Sequence, residues 1–347
     1  MIMVRFRPLD AWNDPRGGQI ERVIIDNGTL ALEVLSLGGI IRSLWTPDRD
    51  GERGNIVLGC DSAQDYLTQD AHLGAIAGRY ANRIAGAQLH RDGQRFSLDN
   101  NHQSNCLHGG REGFNRKLWH IGQLNDGVRL SLFSPDGDMG FPGNANIQLD
   151  YRLVGNNLYV EILASTDKPC PISLTQHSYF NLEGASEISS AAHLIQSDSQ
   201  HYLTTDDQGI PQAIASVVGT PLDLREGQAL GDLRKQLASE ETQGIDHCYL
   251  TPHHDGKALS RFGTISAPNS GRCLTLYTNQ PGVQIYGSNF LGGTQGKQGQ
   301  TLASYQAVCI EPQQLPDAPN QPSLPGTPWL MPGEVYHHMS RYQFDVG

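Results

Sequence analysis

The chain has 347 residues, of which 18% are charged and 38% are hydrophobic, and its 25 Lys and Arg against 36 Asp and Glu give a formal net charge of −11. This composition is typical of a globular protein with a real core, and it excludes collagen, coiled-coil and disordered classes. The acidic balance, with no basic patch along the chain, disfavours binding to nucleic acid or to an anionic membrane surface.

The amino-terminal segment and the cysteines bear on the compartment. Residues 1–10 carry no apolar run of signal-peptide length, and no segment approaches the roughly 18 apolar residues of a membrane-spanning helix. The 6 cysteines lie far apart without a Cys-x-x-Cys pair, which favours free thiols over disulfides. We therefore expect a cytoplasmic protein.

Strand-like alternation is the main local signal along the chain. Apolar residues recur with period two, in chain order, at 30–34, 96–98, 128–132, 147–153, 158–164, 274–276 and 283–285. Asn-Gly or Asp-Gly dipeptides, which favour tight turns, stand at 27–28, 50–51, 92–93, 126–127, 136–137 and 255–256. Because Gly155-Asn156-Asn157 separates two alternating runs, we predict an antiparallel hairpin over 147–164.

Helical periodicity is scarce, which argues against a parallel sheet with crossover helices. Leu230, Leu233 and Leu237 predict one helix, and 62–67 predicts a short helical turn. Evenly spread strands without a central linker predict an all-β fold, a large antiparallel β-sandwich forming a single domain over 1–347. Prolines recur over 312–332, as in a polyproline ligand or a stiff ordered loop, and we favour the loop because strand-like alternation resumes at Val335.

Several signatures of other chemistry are missing from the sequence. The glycines of 292–298 lack P-loop spacing, and neither Gly-x-Gly-x-x-Gly nor Gly-x-Ser-x-Gly occurs. Histidines stand near one another at 247, 253–254 and 337–338, but adjacent side chains on a strand point to opposite faces. Each doublet then offers one ligand at most, so we expect no metal site.

Six segments combine ionisable, aromatic and glycine residues beyond what core packing needs. They are 78–84 with Gly78-Arg79-Tyr80 and Asn82-Arg83-Ile84, 107–119 with Leu107-His108-Gly109-Gly110, Gln176 to Leu182, Gly244-Ile245-Asp246-His247, 280–290 with Gln280 to Tyr286, and 311–322 beginning Glu311-Pro312-Gln313. In this order they resemble the aldose 1-epimerase family of the galactose mutarotase type. The resemblance spans about residue 70 to residue 333.

The resemblance implies a galactose mutarotase-like supersandwich whose open cleft binds a free hexose, such as galactose or glucose, and interconverts its anomers. By motif, Glu311 would be the general base and His177 the general acid. The residues expected around the sugar are Asn82, Arg83, His108, Asp246 and Gln284. The only partner implied is the small-molecule sugar; no cofactor or metal is implied, and monomer and homodimer both stay open.

The chemistry explains why these residue types are needed. Anomer exchange requires the anomeric hydroxyl to lose a proton while the ring oxygen gains one, and a carboxylate with a histidine can supply both transfers. Arg83 would stabilise developing negative charge and hold Glu311 ionised. Tyr179, Phe180 and Phe290 are candidates for a flat apolar face against the sugar.

The sequence departs from the family pattern at two positions. Tyr286-Gly287-Ser288-Asn289 replaces the usual Tyr-x-Gly-Asn, and Pro312 follows the expected base, which leaves the backbone at both places open. Arg79 suits either a sugar contact or a buried support.

Three alternative functions stay open. They are a hexose-6-phosphate 1-epimerase, a non-catalytic sugar-binding protein on the same fold, and a glycoside hydrolase using Asp246 and Glu311.

Overall fold

A computed structural model describes residues 4–347, so the first three residues of the predicted domain 1–347 lie outside the described part. The first half of the chain forms β1 (Arg5–Asn13), β2 (Gln19–Asp26), β3 (Ala31–Leu35), β4 (Ile41–Pro47), β5 (Arg53–Asn55), β6 (Ile76–Ala77), β7 (Arg83–Ile84), β8 (Gln88–Arg91), β9 (Gln94–Ser97), β10 (Cys106–Leu107), β11 (His120–Gln123), β12 (Gly127–Ser134), β13 (Ala145–Val154) and β14 (Asn157–Thr166).

The second half continues with β15 (Cys170–Pro171), β16 (Thr175–Gln176), β17 (Tyr179–Phe180), β18 (Leu194–Ser197), β19 (His201–Thr205), β20 (Pro211–Ser216), β21 (Gln228–Ala229), β22 (Asp246–Leu250), β23 (Ser260–Ser266), β24 (Arg272–Thr278), β25 (Gly282–Tyr286), β26 (Val308–Gln313), β27 (Trp329–Leu330) and β28 (Tyr336–Val346). Strands make up 44% of the structure and helices 8%, as the scarce helical periodicity predicted.

The two α-helices are short and stand where the sequence predicts them. They are α1 (Ala63–Thr68), capped by the Ser62 hydroxyl, which accepts from the Asp65 amide, and α2 (Leu230–Gln236), whose Leu230 and Leu233 are buried. Single 3-10 turns lie at Ala85–Ala87, Phe114–Arg116, Asp138–Gly140, Lys297–Gly299 and Ala318–Asn320. Among residues 4–347, no helix has the length and apolar character that crossing a membrane requires.

Three large antiparallel sheets form the framework. Their strand orders are β1-β2-β3-β4-β5, then β11-β12-β13-β14-β28-β24-β23-β18-β21, and then β17-β26-β25-β22-β19-β20. The predicted hairpin is β13 and β14, which pair without a break from Ala145↔Thr166 to Val154↔Asn157. The hairpin prediction is therefore confirmed.

A shared hydrophobic core joins the three sheets. Leu32 on β3, Leu149 on β13 and Ile285 on β25 are each fully buried and belong to one cluster of contacting side chains. Because apolar residues alternate along these strands, one face of each sheet turns inward, and burying such a side chain contributes roughly 1.5–3 kcal/mol. The predicted antiparallel β-sandwich is confirmed.

The proline-rich segment packs into the protein. Leu315 and Ala318 are buried, the Tyr80 hydroxyl donates to the Leu315 carbonyl at 2.8 Å, and the Trp329 indole donates to the Pro319 carbonyl at 3.2 Å. These contacts show that the segment is an ordered loop, as predicted, and not an exposed polyproline ligand. The short strand β27 lies within the segment, and the long strand β28 begins after it at Tyr336, beside the predicted Val335.

Candidate active site

A large cleft of about 1450 Å³ opens beside the six-stranded sheet. The cleft is lined by the two predicted catalytic residues, by the five residues predicted around the sugar and by Tyr179. These eight are Asn82, Arg83, His108, His177, Tyr179, Asp246, Gln284 and Glu311. Residues far apart in the sequence thus meet at one place.

Neighbouring strands β22, β25 and β26 place three of these side chains on one surface. Gln284 lies directly opposite Glu311 in the β25–β26 register, and Asp246 lies opposite Tyr286 in the β22–β25 register. Since cross-strand and diagonal neighbours on one face lie within side-chain reach, the register alone brings the two carboxylates and the amide together.

A small two-stranded sheet, β7 with β10, supplies the opposite wall. The His108 amide donates to the Asn82 carbonyl at 2.9 Å, and the Asn82 amide donates to Nδ1 of His108 at 3.2 Å. Both residues have positive φ, +64° at Asn82 and +50° at His108, a conformation that is costly for residues with a side chain and is often retained at functional sites. Because Nδ1 accepts, Nε2 of His108 carries the proton and is a donor.

Hydrogen bonds link the two walls. Nδ2 of Asn82 donates to Oε1 of Gln284 at 3.2 Å, and Nε2 of Gln284 donates to Oδ1 of Asp246 at 2.6 Å. The chain fixes the Gln284 amide and occupies only one carboxylate oxygen of Asp246. The second oxygen has no hydrogen bond within residues 4–347, so it is available to accept from a ligand hydroxyl.

His177 and Glu311 form a buried pair. Nε2 of His177 lies 3.5 Å from Oε2 of Glu311, and the two residues are 4% and 2% exposed. Within the described chain neither Nδ1 of His177 nor Oε2 of Glu311 has a hydrogen-bond partner. Unpaired buried polar atoms of this kind are rare in a protein interior and indicate a ligand position.

Burial controls the charge of this pair. It raises the pKa of Glu311 well above its ordinary value, and repulsion from Asp246 adds to the effect. Burial, with a smaller contribution from His72, lowers the pKa of His177 to about 3. Burial therefore favours the neutral form of both groups, the protonated carboxyl of Glu311 and the unprotonated imidazole of His177.

Arg83 acts on the pKa of Glu311 in the expected direction, but it does not set the net shift. Arg83 does lower the pKa of Glu311, but burial has the larger effect because it removes water from the carboxylate. The guanidinium opposes the shift without reversing it.

His72 is a cleft residue that the sequence analysis missed. The His72 ring lies 4.7 Å from that of His108 and 6.0 Å from that of His177, measured between ring centroids. Its Nδ1 lies 2.9 Å from the Asp70 carbonyl, and its φ is +56°. His72 belongs to none of the six segments, and its nearness to Gly78-Arg79 was the only signal.

The three aromatic candidates separate in the structure. Tyr179 lines the cleft with its ring 5.1 Å from that of His177, and the exposed Phe290 lies at the rim. Phe180 does not reach the cleft; it packs in the core with its ring 6.0 Å from that of Tyr342. Neighbours on a strand face opposite sides, so Tyr179 and Phe180 cannot both line one surface.

Arg79 is a buried support. It is 2% exposed, and its guanidinium donates to the carbonyls of Ser134, Pro135, Pro142 and Gly143 and to the Ser134 hydroxyl. It does not line the cleft. These bonds tie the loop before β13 to the segment that carries Asn82 and Arg83.

Both departures from the family pattern fit the backbone. The Ser288 hydroxyl donates to the Ala307 carbonyl at 2.8 Å, and Asn289 donates to the Thr242 carbonyl at 2.7 Å. Pro312 pairs with Val283 on one side, while β17 pairs with β26 no further than Cys309. Strand β26 thus continues through Pro312 to Gln313.

The cleft suits a sugar better than a metal ion. Ligating atoms of His108, His177 and Glu311 lie within 4.8 Å of one another. A metal bond at Nε2 of His108 would require a proton on Nδ1, which would then face the Asn82 amide instead of accepting from it. As a donor, Nε2 fits a sugar oxygen. The doublet at 337–338 is divided, since His337 is exposed and His338 lies buried in the core.

Comparisons with known proteins agree with this geometry. A family model described as aldose 1-epimerase matches residues 21–343. The chain is 38% identical over 333 residues to galactose mutarotase of Rattus norvegicus, covering 95% of each, and 37% identical over 328 residues to aldose 1-epimerase of Escherichia coli K12, covering 92% and 93%. A solved aldose epimerase homologue from C. elegans superposes with a TM-score of 0.85 at 29% identity over 99% of both chains.

Proposed function

The chain belongs to the aldose 1-epimerase family and interconverts the α and β anomers of aldoses, and we propose that Glu311 and His177 carry the two proton transfers of this reaction. The observation that supports the assignment is the buried pair itself. A carboxyl and an imidazole lie 3.5 Å apart at the wall of a cleft, each with an unpartnered atom. A proton donor and a proton acceptor are thus available at one ligand position.

In the ring-opening step, ionised Glu311 takes the proton of the anomeric hydroxyl while protonated His177 gives its proton to the ring oxygen. The bond between the anomeric carbon and the ring oxygen breaks, and an aldehyde forms. After rotation of the aldehyde, both transfers run in reverse on its other face. The pair returns to its starting state without net exchange of protons with solvent.

The buried environment favours the open-chain stage of this scheme. After ring opening Glu311 is protonated and His177 is neutral, and these are the forms of the two groups that burial favours. Catalysis benefits when the surroundings fit the high-energy stage better than the bound ring. Arg83, which opposes the raised pKa of Glu311, helps to form the ionised carboxylate at the start.

The remaining cleft residues bind and orient the sugar. Asp246, held by Gln284, accepts from sugar hydroxyls through its second carboxylate oxygen. His108 and Arg83 donate to sugar oxygens, and Arg83 stabilises negative charge that develops there. Tyr179 offers its ring to the apolar face of the sugar. These contacts position the ring and take no part in the proton transfers.

Charge at the cleft favours an unphosphorylated hexose. The lining carboxylates are Asp70, Glu112, Asp206, Asp207, Glu240, Glu241, Asp246 and Glu311. Of the lining cations, Arg111 pairs with Asp99 and Arg116 pairs with Glu112. A phosphate would meet this acidic lining with Arg83 as its main counter-charge, so we expect glucose 6-phosphate to be a poorer substrate than glucose.

Free thiols support a cytoplasmic location for the protein. None of the 6 cysteines, all within the described residues, is paired in a disulfide, and five of them are buried. Reduced cysteines are typical of a compartment kept reducing by glutathione or thioredoxin. The core that joins all three large sheets likewise supports one domain as the working unit.

Polarimetry of freshly dissolved α-galactose and α-glucose tests the function. The protein should speed the approach of optical rotation to its equilibrium value for both sugars without changing that value. A third solution, of α-glucose 6-phosphate, should respond less. Rates equal to those in buffer for both free sugars would contradict the proposal, and a greater response to the phosphate would favour the phosphohexose enzyme.

A further inference from the structure

The turn between β19 and β20 reaches into the wall of the cleft. Residues 206–210 form this tip, and Asp206, Asp207, Gln208 and Gly209 line the cleft. Oδ1 of Asp206 accepts from the amides of Gln208 at 3.0 Å and Ile210 at 2.9 Å, and the Gly209 amide donates to the Asp206 carbonyl at 3.0 Å. The tip is therefore a compact, internally bonded turn.

Gly209 lies directly against the guanidinium of Arg83. A Cβ atom on Gly209 would stand 2.9 Å from both Cζ and Nε of Arg83 and 3.1 Å from Nη1. Real Cβ atoms do not approach other groups this closely, so only a residue without a side chain allows the contact. The backbone of Gly209 therefore packs directly against the Arg83 guanidinium.

Arg83 is otherwise weakly held. Its Nη1 donates to Oδ1 of Asn82 over 3.4 Å, and its Nε is buried without a hydrogen-bond partner among residues 4–347. No carboxylate within the described chain forms an ion pair with it by direct contact. The direction of the guanidinium therefore depends on packing more than on paired charges.

Hydrogen bonds hold the tip on both sides, so they oppose its movement away from Arg83. Oε1 of Gln208 accepts from the Ser104 hydroxyl at 2.6 Å and from Nδ2 of Asn105 at 3.3 Å. On the other side, Nε2 of Gln321 donates to the Pro211 carbonyl at 3.0 Å. A side chain added at Gly209 would consequently push Arg83 rather than the tip.

We propose that Gly209 is a positioning residue for the reaction, whose backbone contact aims the Arg83 guanidinium at the sugar. The inference rests on the proposed role of Arg83 in sugar binding. It adds the turn at 206–210 to the machinery of the site, although this turn donates no group to the chemistry.

The chain offers a matched control for the test. Gly219, in the turn after β20, has the same φ of +78° as Gly209, but a Cβ there would meet nothing within 4 Å. Gly209→Ala and Gly219→Ala therefore place a side chain at the same φ, and only the first adds the steric contact with Arg83. Arg83→Ala and the double variant Arg83→Ala with Gly209→Ala complete the set.

We expect Gly209→Ala to raise KM for galactose roughly tenfold with a smaller change in kcat, because a charge-assisted hydrogen bond to the sugar is misaligned. Gly219→Ala should keep KM within about twofold of the parent. In the Arg83→Ala background, Gly209→Ala should add nothing further, since the group that it displaces is gone. These three results together support the inference.

Several results would overturn it. Equal KM for Gly209→Ala and Gly219→Ala would show that the contact does not matter, and independent, multiplicative effects of Gly209→Ala and Arg83→Ala would show that Gly209 acts through another group. An unchanged KM in Arg83→Ala alone would refute the proposed role of Arg83 and the inference with it. If Gly209→Ala fails to fold, Gln208→Ala, which releases the tip from Ser104, should raise KM by a smaller factor, and no rise would count against the inference.

Discussion

His177 and Glu311 meet edge to edge, with Nε2 of the imidazole 3.5 Å from Oε2 of the carboxyl and both groups almost free of solvent. Burial moves their pKa values in opposite directions, up for Glu311 and down to about 3 for His177. Both shifts favour the neutral form of the group, the protonated carboxyl and the unprotonated imidazole. This relationship underlies the first prediction.

Glu311→Gln should lower kcat for galactose by on the order of 10² or more and leave KM within a few fold, because the amide keeps the shape but cannot accept the anomeric proton. Polarimetric rates at several sugar concentrations measure both constants. Glu187→Gln, an exposed carboxylate outside the cleft, is the control. A kcat within threefold of the parent would remove Glu311 from the chemistry.

Asp246→Ala should chiefly raise KM, by roughly 10- to 100-fold, since it removes a charged acceptor for sugar hydroxyls and the partner of Gln284. Its kcat should fall less than that of Glu311→Gln, because Asp246 positions the ring and moves no proton. The same polarimetric series serves as the measurement. If Asp246→Ala loses kcat with KM unchanged, Asp246 takes part in proton transfer.

Stability should fall as the pH drops below about 6.5, because buried histidines resist protonation. His338 is fully buried between the Leu174 carbonyl and the Ser340 hydroxyl, and burial lowers its pKa to about 4. Between pH 6.5 and 4 the unfolded chain binds a proton at this site that the folded chain does not. This site alone should lower the free energy of unfolding by roughly 2 kcal/mol between pH 7 and pH 5.

Urea denaturation of the parent and of His338→Gln at pH 7 and pH 5 measures this effect. The variant should show a smaller loss of stability between the two pH values, whatever its stability at pH 7. Because His338 lies outside the cleft, the variant should have the same KM as the parent at pH 7. An identical loss in both proteins would show that His338 does not titrate as its burial requires.

Arg79→Met should destabilise the fold by about 3 kcal/mol or more, since several buried carbonyls lose their only cationic donor. The exposed Arg95 provides the control, and Arg95→Met should change stability by less than about 0.5 kcal/mol. Chemical denaturation gives both values. Loss of sugar binding in a fully stable Arg79→Met protein would make Arg79 a ligand residue instead of a support.

The sequence by itself determined the class of fold. Period-two alternation over 147–153 and 158–164 became β13 and β14, and the leucines at 230 and 233 became the buried side of α2. These signals are local, because the direction of a side chain along one strand or helix depends on its near neighbours. The six ordered segments also predicted the site by resemblance, and the seven residues to which the resemblance assigned a role all line the cleft, whereas Phe180 does not.

Tertiary structure decided what depends on contacts distant in sequence. His72 joins His108 and His177 only because three separate segments meet, and Phe180 turns into the core while Tyr179 faces the cleft. Burial, a property of the whole packed chain, raises the pKa of Glu311 and lowers that of His177. It also separates the buried support Arg79 from the cleft residue Arg83, two arginines that no local pattern distinguishes.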